Sequence, residues 1–232
     1  MVITIDGPAG AGKSTVARKL AQRLGFDYLD TGAMYRAATW KLLQVGADDC
    51  GPEDVARVVE EADIRFAGED PDKRVMCDGH DVTTEIRTPR VTKNIYRVAD
   101  EPAARKPLIE AQREIAARRD LVTEGRDQGT DVFPDADVKF YLTASRKERA
   151  ARRLADLQDA GHDVTLEDMV QQLEKRDHED NSRPVGSLRK QDDMEVVDST
   201  GLTVEQTVDR MIDIIARKCP DAMSEIERRA GN

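Results

Sequence analysis

Cysteine, histidine and net positive charge are all in short supply in this chain, and each shortage excludes something. Cys50, Cys77 and Cys219 are odd in number and widely spaced, so no disulfide framework or thiolate metal site is in prospect. His80, His162 and His178 stand singly, without the paired spacing of a zinc site. No apolar run approaches the length that crosses a bilayer, and the first strand opens at residue 2 with no basic or apolar leader ahead of it. The expectation is therefore a cytoplasmic protein with no membrane partner. The formal net charge of -10 argues against broad nucleic-acid binding, which needs a basic footprint. At 232 residues the chain suits one α/β domain with insertions rather than two large independent ones.

What the chain does have is a phosphate loop. Gly7-Pro8-Ala9-Gly10-Ala11-Gly12-Lys13-Ser14 fits G-x-x-x-x-G-K-[ST]. The β-branched run Val2-Ile3-Thr4-Ile5 before it reads as a buried strand, and Val16, Leu20 and Leu24 after it repeat at helical spacing. Glycines let backbone N–H groups turn inward on a di- or triphosphate; Lys13 neutralises charge on the β and γ oxygens, and the Ser14 hydroxyl is placed to hold Mg²⁺. The ATP-binding set is then Gly7, Pro8, Ala9, Gly10, Ala11, Gly12, Lys13, Ser14 and Thr15. An acidic protein that binds phosphates must gather its cations locally, so its arginines should converge on one cleft.

Further along, strands and helices alternate. Gly25–Asp30 reads as a second strand, and Thr31-Gly32-Ala33-Met34-Tyr35-Arg36 opens a helix capped by Asp30 or Thr31, a second anion site with Arg36 in its first turns. Glu53–Ala62 reads as a helix. Ile64–Phe66 and Arg74–Cys77 alternate like strands around the turn Gly68–Asp72, with a tight turn at Asp78-Gly79, a small β excursion that reads as an insertion. A helix from Asp100 carries Leu108, Ile109, Gln112 and Ile115, with Pro107 expected to kink it. Leu121–Thr123 is a third strand, ending in the polar cluster Glu124-Gly125-Arg126-Asp127, where open parallel sheets place their ligands. Asp137–Leu142 is a fourth.

Ser145 and Thr165 have capping-box spacing and open two helices, the first running towards Gly161. The first carries Arg146, Arg149, Arg152 and Arg153; Arg149 and Arg153, or Arg152, are expected to approach a donor triphosphate when a lid closes. On the second, Arg176, Asp180 and Arg183 form one stripe until Pro184 ends it. Glu195–Asp198 is the last strand. Thr203 caps a final helix with Val208, Met211, Ile212 and Ile215 on its buried face, and the tail after Pro220 reads as polar and peripheral.

The phosphate loop together with Leu29-Asp30-Thr31-Gly32-Ala33-Met34-Tyr35-Arg36 resembles the bacterial cytidylate kinases, nucleoside monophosphate kinases of the P-loop class. The segment 75–89 is similar to the one by which that family enlarges its monophosphate-binding region, and Arg176-Asp177-x-x-Asp180-x-x-Arg183 is a specific part of the likeness. The resemblance implies an α/β, three-layer P-loop kinase core around a central parallel sheet, with a small β-containing monophosphate-binding insertion and a helical lid. In residues, this means a discontinuous core at 1–62, 100–150 and 190–220, an insertion at 63–99 and a lid at 151–189.

It also implies residue roles. Arg126 grips the monophosphate, Asp127 reads the base amino group and Arg105 contacts the base. Arg176 and Asp180 contact the sugar, Arg183 the base end of the acceptor, and Thr31 and Arg36 join the substrate site. Tyr96 stands where family members carry a serine that bonds cytosine; Ser187 replaces the usual proline before Leu188. Lys13, Arg126, Arg149 and Arg153 are the catalytic candidates, and Glu124 is placed to orient a magnesium-bound water. The implied reaction is ATP with Mg²⁺ phosphorylating CMP or dCMP in a monomeric enzyme. Two other readings stay open: a P-loop kinase for another nucleotide or small alcohol, and a nucleotide-binding switch without transfer activity.

Overall fold

A computed structural model of the chain describes residues 1–46, 50–68, 72–159 and 164–230. In order, the elements are β1 (Val2–Asp6), α1 (Lys13–Leu24), β2 (Asp27–Asp30), α2 (Thr31–Gln44), α3 (Pro52–Glu60), β3 (Ile64–Ala67), β4 (Arg74–Cys77), β5 (His80–Asp81), α4 (Pro89–Asn94), α5 (Tyr96–Ala99) and α6 (Pro102–Ala116). Then follow β6 (Leu121–Gly125), β7 (Val138–Thr143), α7 (Arg146–Asp159), α8 (Leu166–Ser182), β8 (Glu195–Asp198), α9 (Val204–Lys218) and α10 (Pro220–Ala230). The centre of the polar turn expected at 68–72, His162, and the expected end of α7 at Gly161 lie outside the described residues.

Two compact units share the chain. The first comprises Met1–Leu29, Arg118–Arg183 and Ser187–Asn232; the second comprises Asp30–Ala117 and Pro184–Gly186.

The first unit is built on a five-stranded sheet in the order β2-β6-β1-β7-β8. β1 runs parallel to both β6 and β7, with Ile3 beside Val122 and Val138, and β7 runs parallel to β8. β1 is rich in β-branched residues and buried from Ile3 to Asp6, as a strand covered on both faces should be. Against one face lie Val16, Leu20 and Leu24 of α1 and Val208, Met211 and Ile215 of α9, closing a core around Ile3, Ile5, Phe140 and Leu142. On α9 it is Ile214 that is buried, while the expected Ile212 is only partly so.

The tail corrects the reading of the sequence more substantially. It folds as α10, and its Met223 and Ile226, three apart and on one face, join the main core; they are isolated apolar residues in a polar stretch, so composition alone hid them. Capping boxes at Thr165 and Thr203 are both complete, as the spacing requires. Arg183 follows α8 in an extended conformation, as the residue before a proline should.

In the second unit α2 serves two apolar clusters. Tyr35, Ala38 and Leu42 pack with Val55 and Val59 of α3, Val98 of α5 and Leu108 of α6. Ala33 and Ala37 pack with Val75, Cys77, Val82 and Ile86, beneath a three-stranded antiparallel sheet in the order β3-β4-β5. This compact unit is wider than the 63–99 insertion because both faces of α2 are buried within it. Asp78 and Gly79 both take positive φ, 50° and 80°, in the tight turn between β4 and β5. Asp78 also pairs with Lys41 and accepts the Asp63 N–H. α6 is a single helix with Pro107 inside it.

Candidate active site

In the first unit, the topological switch lies at β1, flanked by β6 and β7, and the loops that leave β1 and β6 carry the chemistry. Gly7 admits no side chain, since a β-carbon there would sit 2.0 Å from the Leu142 carbonyl oxygen. Gly12 caps α1 in the left-handed region with no side chain competing for the helix amides, and the first turn of α1 holds no acidic residue. The helix N-terminus is therefore open to an anion. Lys13 is 6% exposed, and its Nζ donates to the carbonyls of Gly7 at 2.8 Å and Pro8 at 3.0 Å. Burial, and then the charge of Arg126, pull its pKa down to about 7, a state that incoming phosphate charge would reverse.

Ser14 Oγ donates to Glu124 Oε1 at 2.7 Å, bringing two hard oxygen ligands together at the ends of α1 and β6. No three His, Cys, Asp or Glu side chains gather as a metal cage among the described residues. The Ser14–Glu124 pair fits Mg²⁺, which usually keeps waters and substrate phosphates as its remaining ligands. Beyond Glu124, Arg126 Nε donates to Asp180 Oδ2 at 2.6 Å, and Arg183 reaches Asp180 Oδ1 at 3.3 Å. Asp180 is 2% exposed; burial alone would raise its pKa, but Arg126, Arg183 and Arg176 hold it below the usual carboxylate range. Burial likewise works against the charge on Arg126, and Asp180 outweighs it. The expected stripe Arg176, Asp180 and Arg183 is thus electrostatically joined to Arg126, and Asp127, next along the chain, is buried.

The turn after Asp127 is held by a group that motif reading missed. The Asp6 carboxylate, fully buried at the end of β1, accepts the N–H of Gln128 at 2.9 Å and of Gly129 at 2.7 Å. The backbone there makes i→i−5 bonds, Val132 to Asp127 and Phe133 to Gln128. Burial is the main cause that raises Asp6 to about 7, against the two amides, which lower it.

Along α7, Arg149 lies against the phosphate loop and bonds the Ala9 carbonyl at 2.9 Å. Arg153 has its Cγ 3.4 Å from where a Gly10 β-carbon would stand. Arg152 bonds the Ala11 carbonyl, Ser199 and Glu148, which makes it a staple between loop, α7 and the end of β8.

In the second unit the expected acceptor residues are spread over several elements. Thr31 is buried at the start of α2, where Asp30 accepts the Ala33 N–H at 2.9 Å as the cap. Arg36 donates to Thr92 Oγ1 at 2.7 Å. Arg105 is 5% exposed; it donates to the Ala99 carbonyl at 3.1 Å and stacks over the Tyr35 ring at 5.3 Å. Gly186, with φ of 62°, lies so close that a β-carbon on it would meet Arg105 Nη1 at 2.5 Å. Tyr96, at 54% exposed, stands at the surface on α5.

The cytidylate kinase family matches the chain over residues 3–217. A cytidylate kinase from Rhodopirellula baltica is 47% identical over 222 residues, 96% of this chain and 95% of its own length. One from Carboxydothermus hydrogenoformans is 45% identical over 218 residues, 94% of this chain and 98% of its own. A solved structure of an uncharacterized protein from Eubacterium ventriosum shares the fold with a TM-score of 0.51 at 13% identity, covering 93% of this chain and 98% of that one.

Proposed function

The chain belongs to the cytidylate kinase family, and from that premise we propose that it transfers the γ-phosphoryl group of ATP to CMP or dCMP, giving ADP and CDP or dCDP. Phosphoryl transfer asks for in-line positioning and charge neutralisation rather than covalent chemistry by the protein. The phosphate-loop amides and Lys13 hold the donor phosphates. Ser14 and Glu124 would hold Mg²⁺, which would supply charge neutralisation on the donor phosphates. Arg36 and Arg126 hold the acceptor phosphate, Asp127, Arg105 and Tyr96 meet the base, Thr31 lines the same site, and Arg176, Asp180 and Arg183 meet the sugar and base end. Arg149 and Arg153 act on the donor side, and closure of the 151–189 segment as a lid excludes the water that would otherwise accept the phosphoryl group. The enzyme works as a cytoplasmic monomer on small nucleotides.

The observation that carries this reading is Lys13, buried and bonded back onto its own loop at the open end of a helix that has no acid in its first turn. The test is ADP release from MgATP with CMP, dCMP, UMP, AMP or no acceptor. CMP and dCMP should give kcat/KM values at least tenfold above UMP and AMP. ADP release that ignores the acceptor would leave a nucleotide switch, and preference for AMP would make it another monophosphate kinase.

A further inference from the structure

Arg149 is more firmly held than an arginine waiting to swing over a substrate. Its stem lies against the phosphate loop, where a β-carbon on Gly10 would come 3.1 Å from Arg149 Cβ and 3.1 Å from its carbonyl oxygen. Its fork is doubly engaged: Nη1 donates to the Ala9 carbonyl at 2.9 Å and to Asp177 Oδ1 at 3.0 Å, while Nη2 donates to Asp177 Oδ2 at 2.7 Å. Ala9, Ala150, Met169 and Leu173 form an apolar knot joining the loop, α7 and α8 around this polar clamp. Arg149 Nε is buried and has no hydrogen-bond partner among the described residues, an unusual state for an interior donor.

We propose that Asp177 is a positioning residue for the donor side of the reaction. By taking both Nη groups of Arg149 in a bidentate pair, it fixes the plane of the guanidinium so that one Nη holds the Ala9 carbonyl. That carbonyl is then turned towards α7, and the first half of the phosphate loop keeps a shape in which its amides serve phosphate. Arg149 becomes a fixed strut of the loop, and its unused Nε–H is satisfied when a donor phosphate oxygen arrives. Asp180, one turn further along α8, does the corresponding work for Arg126, so a single helix face orients one arginine on each side of the transfer. Asp177 lies within the Arg176, Asp180 and Arg183 stripe, and its partner Arg149 stands 28 positions away on another helix.

The inference rests on the kinase reading, and the test separates the two. KM for ATP and for CMP, kcat, and MgATP affinity by calorimetry are measured for wild type, Asp177→Asn, Arg149→Lys and the double variant. Asp177→Asn should raise KM and Kd for MgATP about tenfold while KM for CMP stays within twofold. Arg149→Lys, whose point charge cannot engage both partners in a plane, should do the same, and the double variant should be no worse than either single. Equal rises in both KM values, additive losses in the double variant, or unchanged MgATP affinity would overturn the proposal. Should Asp177→Asn fail to fold, Arg149→Lys alone decides, since a wild-type MgATP affinity there rules the strut out. If wild type shows no CMP-dependent turnover, the kinase reading fails, while the calorimetric comparison still tests Asp177.

Discussion

At the scale of single residues, burial sets the electrostatics of the site. Lys13 is the clearest case: it is buried, its pKa is pulled down to about 7, and its Nζ donates to carbonyls of its own loop. Replacing it with methionine should keep the fold and lower kcat by three or more powers of ten, read by the coupled ADP assay. Asp6 makes the opposite shift. Its folded pKa of about 7 stands above the unfolded 3.8, so between those values the folded chain holds a proton that the unfolded chain has released. The stability it contributes is full below about pH 4 and is lost as pH rises through about 7. Asp6→Asn cannot titrate, so the variant's Tm relative to wild type should rise between about pH 4.5 and 8; a gap that ignores pH would show that this carboxylate does not titrate with folding. The phosphate loop was legible because its motif is a run of adjacent positions. Asp6 and Asp177 were not, because their partners at Gln128, Gly129 and Arg149 are 28 to 123 positions away and no local pattern announces them.

Helices and strands were legible where local signals agreed. The strand, loop and helix of residues 2–24, the capping boxes at Thr165 and Thr203, the Asp30 cap and the Asp78-Gly79 turn all fold as their spacing demands. Each of those signals acts within about four residues, so no long-range contact was needed to read it. α10 failed that rule. Its apolar face is only two buried residues wide, and its place in the core depends on α1 and α9, which no window on residues 220–230 contains. Ile226→Ala should therefore cost about 2 to 4 kcal/mol of stability, measured by urea unfolding, with kinetic constants at low temperature unchanged. A loss under about 0.5 kcal/mol would return the tail to the surface role its composition suggested.

For the molecule as a whole, the fold class was readable from the alternation of strands and helices. Strand alternation is a property of the chain's order; a unit is a property of which faces are buried together, and α2 buries two. Net charge works at this scale as well. Although the chain carries -10 overall, Arg126 and Arg183 are gathered locally on Asp180. Labelled random-sequence duplex and single-stranded DNA should show no binding by anisotropy at physiological salt, with Kd above about 100 μM. Saturable micromolar binding would mean that the local clusters extend into a continuous basic track.

Gly186 carries a consequence of its own. Pro184–Gly186 are counted with the second unit, although Arg183 and Ser187 on either side are counted with the first. The peptide at this point rests directly on the Arg105 guanidinium, which Ala99 and Tyr35 already pin from elsewhere. A side chain at 186 would be strained by the left-handed backbone there, φ 62°, and would displace the Arg105 guanidinium from its place against Ala99 and Tyr35. In a saturation screen for growth on this enzyme, position 186 should therefore favour glycine, with asparagine and aspartate the best tolerated replacements, because the constraint begins in the backbone before any ligand binds.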